Sequence, residues 1–174
     1  QRIKTSTLIK RMYASRGYCT ESTSIFSNDP NQVTFQISVG ENIAGTITLK
    51  VDSDKGLLAD ELYRDEINHF RNKGKRVCEL SKFALDPQRS SKEMIALLFQ
   101  TAYLYAHHIF KTTDFLCEVN PRHALPQKRM FGFRQIGGGR CQIVDGRVEA
   151  VLDGTDFGTL RCNSVDCGIK QTQC

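Results

Sequence analysis

The chain has no long apolar run: its longest uninterrupted one is "MIALLF" at 94–99, far short of the roughly 20 residues that cross a bilayer. No membrane span is therefore expected. The first residues hold no apolar core of the kind that directs secretion, and a cytoplasmic protein is the expectation. There is no CxxC pair. The seven cysteines, at 19, 78, 117, 141, 162, 167 and 174, are odd in number and scattered, which argues for reduced, partly buried thiols over a disulfide framework. The tail "CNSVDCGIKQTQC" has three of them but no neighbouring His, so no metal site is expected. Repeats and low-complexity linkers are also missing. At 174 residues the expectation is a single domain, with a core over about 8–153 and 154–174 as a peripheral tail.

What is present is an ordinary globular composition, 40% apolar and 25% charged, with a net charge of +5. Basic residues cluster locally at "RNKGKR" and "QKRMFGFR" without any nucleic-acid motif. An acidic protein partner or a phosphate-bearing substrate suits that charge equally well.

The apolar spacing predicts a mixed α/β chain. "TSTLIKRMYASRGY" sets Leu8, Ile9, Met12 and Tyr13 on one side of a short helix, with Gly17 near its end. "VTFQISV" alternates Val33, Phe35, Ile37 and Val39; "GEN" turns the chain into "IAGTITLKV", as an antiparallel hairpin. "LADELYRDEINHFRNKG" reads as a helix with Leu58, Leu62 and Phe70 near its apolar face and Gly74 as its stop. The strand "RVCELSKFALDP" follows, and then "SSKE", Ser90 to Glu93, which fits a capping box. It opens the most hydrophobic helix, "SKEMIALLFQTAYLYAHHIF". There the predicted core stripe is Met94, Leu97, Leu98, Thr101 and Tyr105, widened by Ile95, Ala102 and Ile109. "FLCEV" is a strand, "ALPQKRMF" a short helix, and "FGFRQI" leads back to strand. Glycines 137 to 139 read as a flexible loop, and "VEAVL" as a late strand. That order describes a mixed sheet with helices on its faces.

One strand is anomalous. "RVCELSKFALDP" carries Glu79 and Lys82 among Val77, Leu80, Phe83, Ala84 and Leu85. A charge buried without a partner is costly or shifts its pKa. Residues three apart in a regular strand face opposite sides. Glu79 and Lys82 thus converge only across a bulge, a feature found beside active sites. A carboxylate in a cleft there is expected to have a raised pKa and to take up a proton near neutral pH. The plainer alternative is a carboxylate paired with a cation at a strand end.

Three stretches carry a family resemblance spanning roughly Leu8 to Asp153. They are "GTITLKVDSDKGLLADELYRDEINHFRNKGKRVCELSKFALDP", "EVNPRHALPQKRMFGFRQIG" and "RVEAVLDGTDF". Together they resemble GNAT-type acyltransferases, specifically the long-chain N-acyl amino acid synthases and, more distantly, the N-acyl homoserine lactone autoinducer synthases. The resemblance implies a GNAT-like α/β (α+β) fold. Its mixed central sheet has splayed parallel central strands, helices on both faces, and a substrate tunnel at the splay. It implies an N-acyltransferase that moves a medium- or long-chain fatty acyl group from an acyl carrier protein thioester to the amine of an amino acid or related acceptor. No tightly bound cofactor, metal or nucleic acid is expected; acyl-phosphopantetheine or acyl-CoA is the donor. The alternatives are an acyl-CoA-dependent N-acetyltransferase and a non-catalytic GNAT-like module that binds a lipid or partner.

The resemblance also carries site residues. Glu79 matches the glutamate of the family's E-x-x-R/K strand motif and is the candidate catalytic base. Lys82 stands where the autoinducer synthases usually have Arg, a point charge in place of a bidentate fork. With Phe83, Ala84 and Leu85, and with Asn120, Arg122 and His123 across the split, it forms the expected substrate-binding set. Acetyl-CoA-using members wrap pyrophosphate with an Arg/Gln-x-x-Gly-x-Gly/Ala loop, whereas this chain has "QRSSKE", with Ser91 and Glu93 in place of the glycines. A helix N-terminus carrying Arg89, Ser90, Ser91 and Lys92 suits a single phosphate, as in phosphopantetheine. Lys128 and Arg129, with Arg134, make a basic edge for an acidic carrier protein. The Tyr that many members use as a leaving-group acid is missing; Pro126 and Gln127 lie about there.

Overall fold

The computed structural model describes residues 2–16, 26–120, 129, 133–143 and 147–156. In chain order they form α1 (Arg2–Ala14), β1 (Gln32–Val39), β2 (Asn42–Val51), α2 (Asp60–Asn72), β3 (Val77–Leu85) and α3 (Lys92–Leu104). A π-helical turn (Tyr105–Ile109) continues α3, and β4 (Asp114–Val119), β5 (Arg134–Ile143) and β6 (Arg147–Asp156) follow. The strands make one mixed sheet in the order β1-β2-β3-β4-β6-β5, with helices on both faces, as expected of the fold class. β3 and β4 run parallel, while the other neighbours are antiparallel. Gly40, at φ +58°, supplies the left-handed backbone of the tight turn that closes β1 on β2.

The period-two pattern of the first strands gives the sheet two unlike faces. One is apolar. Val33, Phe35 and Ile37 of β1, Ile47, Leu49 and Val51 of β2, Cys78 and Leu80 of β3, and Phe115 and Cys117 of β4 gather beneath α3. The other face of β2 carries Thr46, Thr48 and Lys50. α1 covers one end of that face with Leu8 and Ile9 against Ile43 and Ala84. α2 covers the other end with Tyr63 and Ile67 against Val77 and Leu116, and the Tyr63 hydroxyl donates to the Gly138 carbonyl on β5.

Several local expectations need correction. α3 meets the sheet through Leu98, Phe99, Ala102 and Ala106, whereas Leu97, Tyr105 and Ile109 are 52%, 36% and 63% exposed. The seam is rotated by one position, and the π turn adds a residue that shifts the phase beyond it. The cap of α3 is Ser91, whose hydroxyl accepts from Met94 N, one residue later than the capping-box reading. On α2 the buried side chains are Tyr63 and Ile67, while Leu58 precedes the helix and is exposed. Glycines 137 to 139 lie within β5 rather than in a loop; register shifts on either side of Gly137 absorb the extra residues as bulges. The expected short helix over "ALPQKRMF", apart from Arg129, lies outside the described residues, as does the tail beyond Asp156. Cys78 and Cys117 are buried free thiols. Among the described residues, no helix is long and apolar enough to cross a membrane.

This arrangement separates two deletions sharply. Ile47→Ala, in the apolar layer, is expected to destabilise the fold by about 2–5 kcal/mol. Leu97→Ala, on the outer side of α3, should shift stability by less than about 0.5 kcal/mol. Urea unfolding of the two variants measures the difference.

Candidate active site

The parallel pairing of β3 and β4 is short. Val77 to Leu80 match Asp114 to Cys117, and no further pairing joins the two strands among the described residues, although β3 runs on to Leu85. The sheet is split from Ser81 and Glu118 onward. At that point β3 also bulges: Thr48 faces Ser81 and Thr46 faces Ala84, so Lys82 and Phe83 share one place in the ladder. Lys82 takes the left-handed φ of +49°, which costs a non-glycine residue about 1 kcal/mol or more. Its carbonyl accepts from Thr46 Oγ1 at 3.0 Å. A bulge is therefore present in this strand as expected, at Lys82 and Phe83, while Glu79 to Ser81 keep a regular register.

Glu79 is 1% exposed and shares its face of the sheet with Val77 and Leu116. Its Oε2 accepts from Leu58 N at 2.7 Å and its Oε1 from Ala59 N at 3.2 Å. Ala59 caps α2 but has no side-chain oxygen to offer. The carboxylate reaching over from β3 fills that role and sits at the positive end of the helix dipole. Burial nonetheless dominates and pushes the Glu79 carboxyl up to about 7. The N–H donors and Lys50 resist that shift, while Glu118 adds to it.

The segment that supplies those N–H groups is clamped from behind. Arg71 donates to both oxygens of Asp52 (2.6 and 2.7 Å), to both of Asp60 (2.7 Å each) and to Asn68 Oδ1 (2.9 Å). Asp60 Oδ2 in turn accepts from Leu57 N at 2.7 Å. The guanidinium holds the Asp60 carboxyl below its usual range. This fork-on-carboxylate geometry fixes residues 52–60, and with them the donors to Glu79.

Around Glu79 the polar face continues. Lys50 lies directly across on β2 and makes no ion pair among the described residues. Ser81, two residues along β3, has a buried hydroxyl with no hydrogen-bond partner among the described residues. Thr48, its neighbour on β2, bonds Thr34 at 2.8 Å. Glu118 lies two residues beyond Leu116 on β4; burial raises its pKa, and the charge of Glu61 raises it further. Burial lowers the pKa of Lys82, Lys50 lowers it further, and Glu79 opposes them. Lys50, Ser81, Glu118, Asp52, Asp60 and Arg71 did not emerge from the sequence. The alternation of "TITLKV" puts Lys50 on the polar face of its strand without marking it as part of a site.

Other predicted residues are dispersed. Phe83 packs edge-on against Phe99 at 5.3 Å, on the α3 side, and Leu85 packs against the same cluster. Ala84 is 1% exposed beneath α1, on the side of β3 away from α3. Asn120 is half-buried just past β4. At the start of α3, Arg89 turns onto Asp86 at 2.7 Å, where Arg11 joins it at 3.0 Å. Ser90 is half-buried, Ser91 caps the helix, and Lys92 is exposed, as is Arg129. Arg122, His123 and Lys128 lie outside the described residues. Among the described residues, no group of three or more His, Cys, Asp or Glu side chains is placed to hold a metal ion.

A mixed sheet split between two parallel strands, bulged at the split and lined there by a buried carboxylate, is the GNAT-like acyltransferase architecture. Comparisons with known proteins agree. A family model described as N-acyl amino acid synthase FeeM matches residues 4–152, and the chain belongs to this family of acyltransferases. It is similar to the solved structure of FeeM, an N-acyl amino acid synthase from uncultured soil microbes. That match has a TM-score of 0.81 and 27% identity over 93% of this chain and 94% of that one. Two more distant structures share the fold. BjaI, a CoA-dependent acyl-homoserine lactone synthase, matches with a TM-score of 0.63 at 13% identity, over 98% of this chain and 81% of its own. The spermidine/spermine N-acetyltransferase SpeG from Vibrio cholerae matches at 0.53 and 17%, over 79% and 71%. No curated protein sequence matches the chain.

Two variants test the architecture of the site. Arg71→Ala strands two partly buried carboxylates and should cost roughly 2–4 kcal/mol, read by urea denaturation. Glu79 binds its proton more tightly folded than unfolded, so wild-type stability should fall as pH rises from about 4.5 to about 7. Glu79→Gln should flatten that slope in unfolding measurements across the same range.

Proposed function

We propose that this N-acyltransferase moves a medium- or long-chain fatty acyl group from an acyl carrier protein thioester to the amine of an amino acid or related acceptor. The observation that carries the reading is Glu79: a buried carboxyl with a pKa near 7, on the polar face where β3 and β4 part. Nucleophilic attack needs a neutral amine, and a base poised near neutral pH supplies it. In this mechanism the ammonium gives one proton to Glu79, directly or through water. The nitrogen attacks the thioester carbonyl and the C–S bond breaks. The second amine proton leaves with the sulfur as the free thiol. A backbone N–H released from the ladder at the bulge polarises the carbonyl.

The donor assignment rests on the α3 N-terminus. Ser91 is occupied as the cap and Glu93 stands in the first turn, so the loop lacks the bare glycines that wrap pyrophosphate. Arg89, Ser90, Ser91 and Lys92 hold the single phosphate of phosphopantetheine, and an acidic carrier protein docks on the basic edge of Lys128 and Arg129. Lys82, Phe83, Leu85, Asn120, Arg122 and His123 line the route of the substrates in this reading. In this reading the acyl transfer takes place in the cytoplasm.

Purified protein with a fatty acyl carrier protein thioester and a mixture of amino acids should give N-acyl amino acids by mass spectrometry. Equal or faster turnover with acetyl-CoA would overturn the donor assignment. Glu79→Gln should lower kcat roughly 10²–10⁴-fold with the fold retained, and wild-type turnover should rise through about pH 7. Unchanged turnover in that variant removes Glu79 from the chemistry.

A further inference from the structure

The positive charge of the chain is concentrated in one place. Its net charge of +5 comes from 24 Lys and Arg against 19 Asp and Glu. Five of those cations, Arg2, Lys4, Lys10, Arg11 and Arg16, fall within residues 1–16, where there is no acid; over the remaining residues the two signs balance. The surplus therefore sits on α1 and the turn that ends it. The apolar side of this helix belongs to the fold, with Leu8 and Ile9 against Ile43 and Ala84, and all five basic residues are exposed. Three of them touch the body of the protein. Arg2 stands over the Phe26 ring at 5.6 Å, Lys4 Nζ donates to the Glu41 carbonyl at 2.9 Å, and Arg11 shares Asp86 with Arg89. Lys10 and Arg16 make no ion pair among the described residues.

Apolar side chains stand out beside these cations. Ile3 is 82% exposed, and Val39, paired with Asn42 across the β1–β2 turn, is 43% exposed. A groove of about 250 Å³ runs between α1 and β2, lined by Ile3, Leu8 and Ile43 and by the cations Lys4, Arg11 and Arg89. Asp86 is the only acid among the described residues that line it, and two guanidinium groups already share it. The groove is smaller than the roughly 300–1,000 Å³ of small-molecule pockets. A protein partner binds through deep, desolvated anchor pockets, and this surface offers a row of cations instead. A plane of negative headgroups answers such a row without fixed pairing and takes up an isolated apolar tip. We infer that the outer face of α1, with the β1–β2 turn beside it, binds the surface of an anionic bilayer. Arg2, Lys4, Lys10, Arg11 and Arg16 lie against the headgroups, and Ile3 dips between them. Charge and exposure alone carry this surface; the acyl-transfer reading above adds a use for it. Asp86 directly follows the half of β3 that has left β4, so the groove and the open end of the split lie at the same end of the sheet. An amphiphilic product released there meets lipid.

Co-sedimentation with vesicles tests the surface. Vesicles of phosphatidylcholine are compared with vesicles of phosphatidylcholine and phosphatidylglycerol in equal parts. The protein should bind the anionic vesicles roughly tenfold or more tightly than the neutral ones. The difference should fade in about 1 M salt, where charges are screened beyond about 3 Å. Each Lys or Arg at such a surface strengthens binding about fivefold, so Lys10→Gln with Arg16→Gln should weaken it about 25-fold. Ile3→Ser should weaken it by a similar factor at every salt concentration, because its part is apolar. Lys73→Gln with Arg76→Gln, exposed in the other basic cluster, removes the same total charge and should leave binding unchanged. Circular dichroism confirms that each variant is folded. Equal binding to both kinds of vesicle, binding to neither, or equal losses in the two double variants overturns the lipid-facing assignment. An acidic carrier protein that binds wild type but not the Lys10→Gln, Arg16→Gln variant, with no vesicle binding, makes the surface a protein dock instead. The assay needs no acyl donor, so failure of the transfer reading leaves its outcome unchanged.

Discussion

The carboxylate of Glu79, held by the N–H groups of Leu58 and Ala59, is the constraint on which the site depends. A charge in the middle of a sheet needs donors, and the nearest ones are the free N–H groups at the start of a helix. Those groups stay in place because Arg71 ties Asp52 and Asp60 to the body of α2. A single chain of charge-assisted bonds thus runs from the back of α2 to the centre of the sheet. It leaves a carboxyl that is fixed in space yet still titrates near neutral pH. Preorganisation and a tuned pKa come from the same few contacts.

The second organising feature is the contrast between the two faces of the sheet. The α3 side is continuous hydrocarbon from β1 to β4, and it supplies the stability of the fold. Among the described residues, the opposite side is covered by apolar residues only at its ends, under α1 and α2. Between them lie threonines, a serine, lysines and glutamates. Burial without apolar contact adds little to folding, which makes that stripe more economically explained by what it binds than by what it stabilises. The split between β3 and β4 joins the two environments, as a reaction between an acyl chain and a charged acceptor requires.

Much of the fold was legible in the chain. The alternation of "VTFQISV" and "IAGTITLKV" and the stop at Gly74 appear where they were expected. Gly74, at φ +69°, is indeed the left-handed residue after α2. The misread elements share a physical cause. The face of α3 depends on which side chains meet the sheet, and a π turn alters the helical period without any marker in the residues around Tyr105. The glycine run at 137–139 has loop composition but a strand's hydrogen bonds, because its neighbour β6 supplies the ladder.

The site divides in the same way. Glu79 could be singled out from the sequence because a carboxylate in an apolar strand is locally anomalous, and the bulge followed from its spacing to Lys82. Lys50 is locally unremarkable: "TLKV" reads equally well as a strand with its polar edge in water. Glu118 and Arg71 likewise look like ordinary surface charges. The sequence by itself determined the alternating faces, the charged strand and the family, since each is written within a few dozen consecutive residues. Only the tertiary structure decided that Lys50, Glu79, Ser81 and Glu118 share one partly buried stripe, with Lys82 at the bulge within their electrostatic reach. Strand order and register bring them together from β2, β3 and β4, and neither is encoded in any one segment.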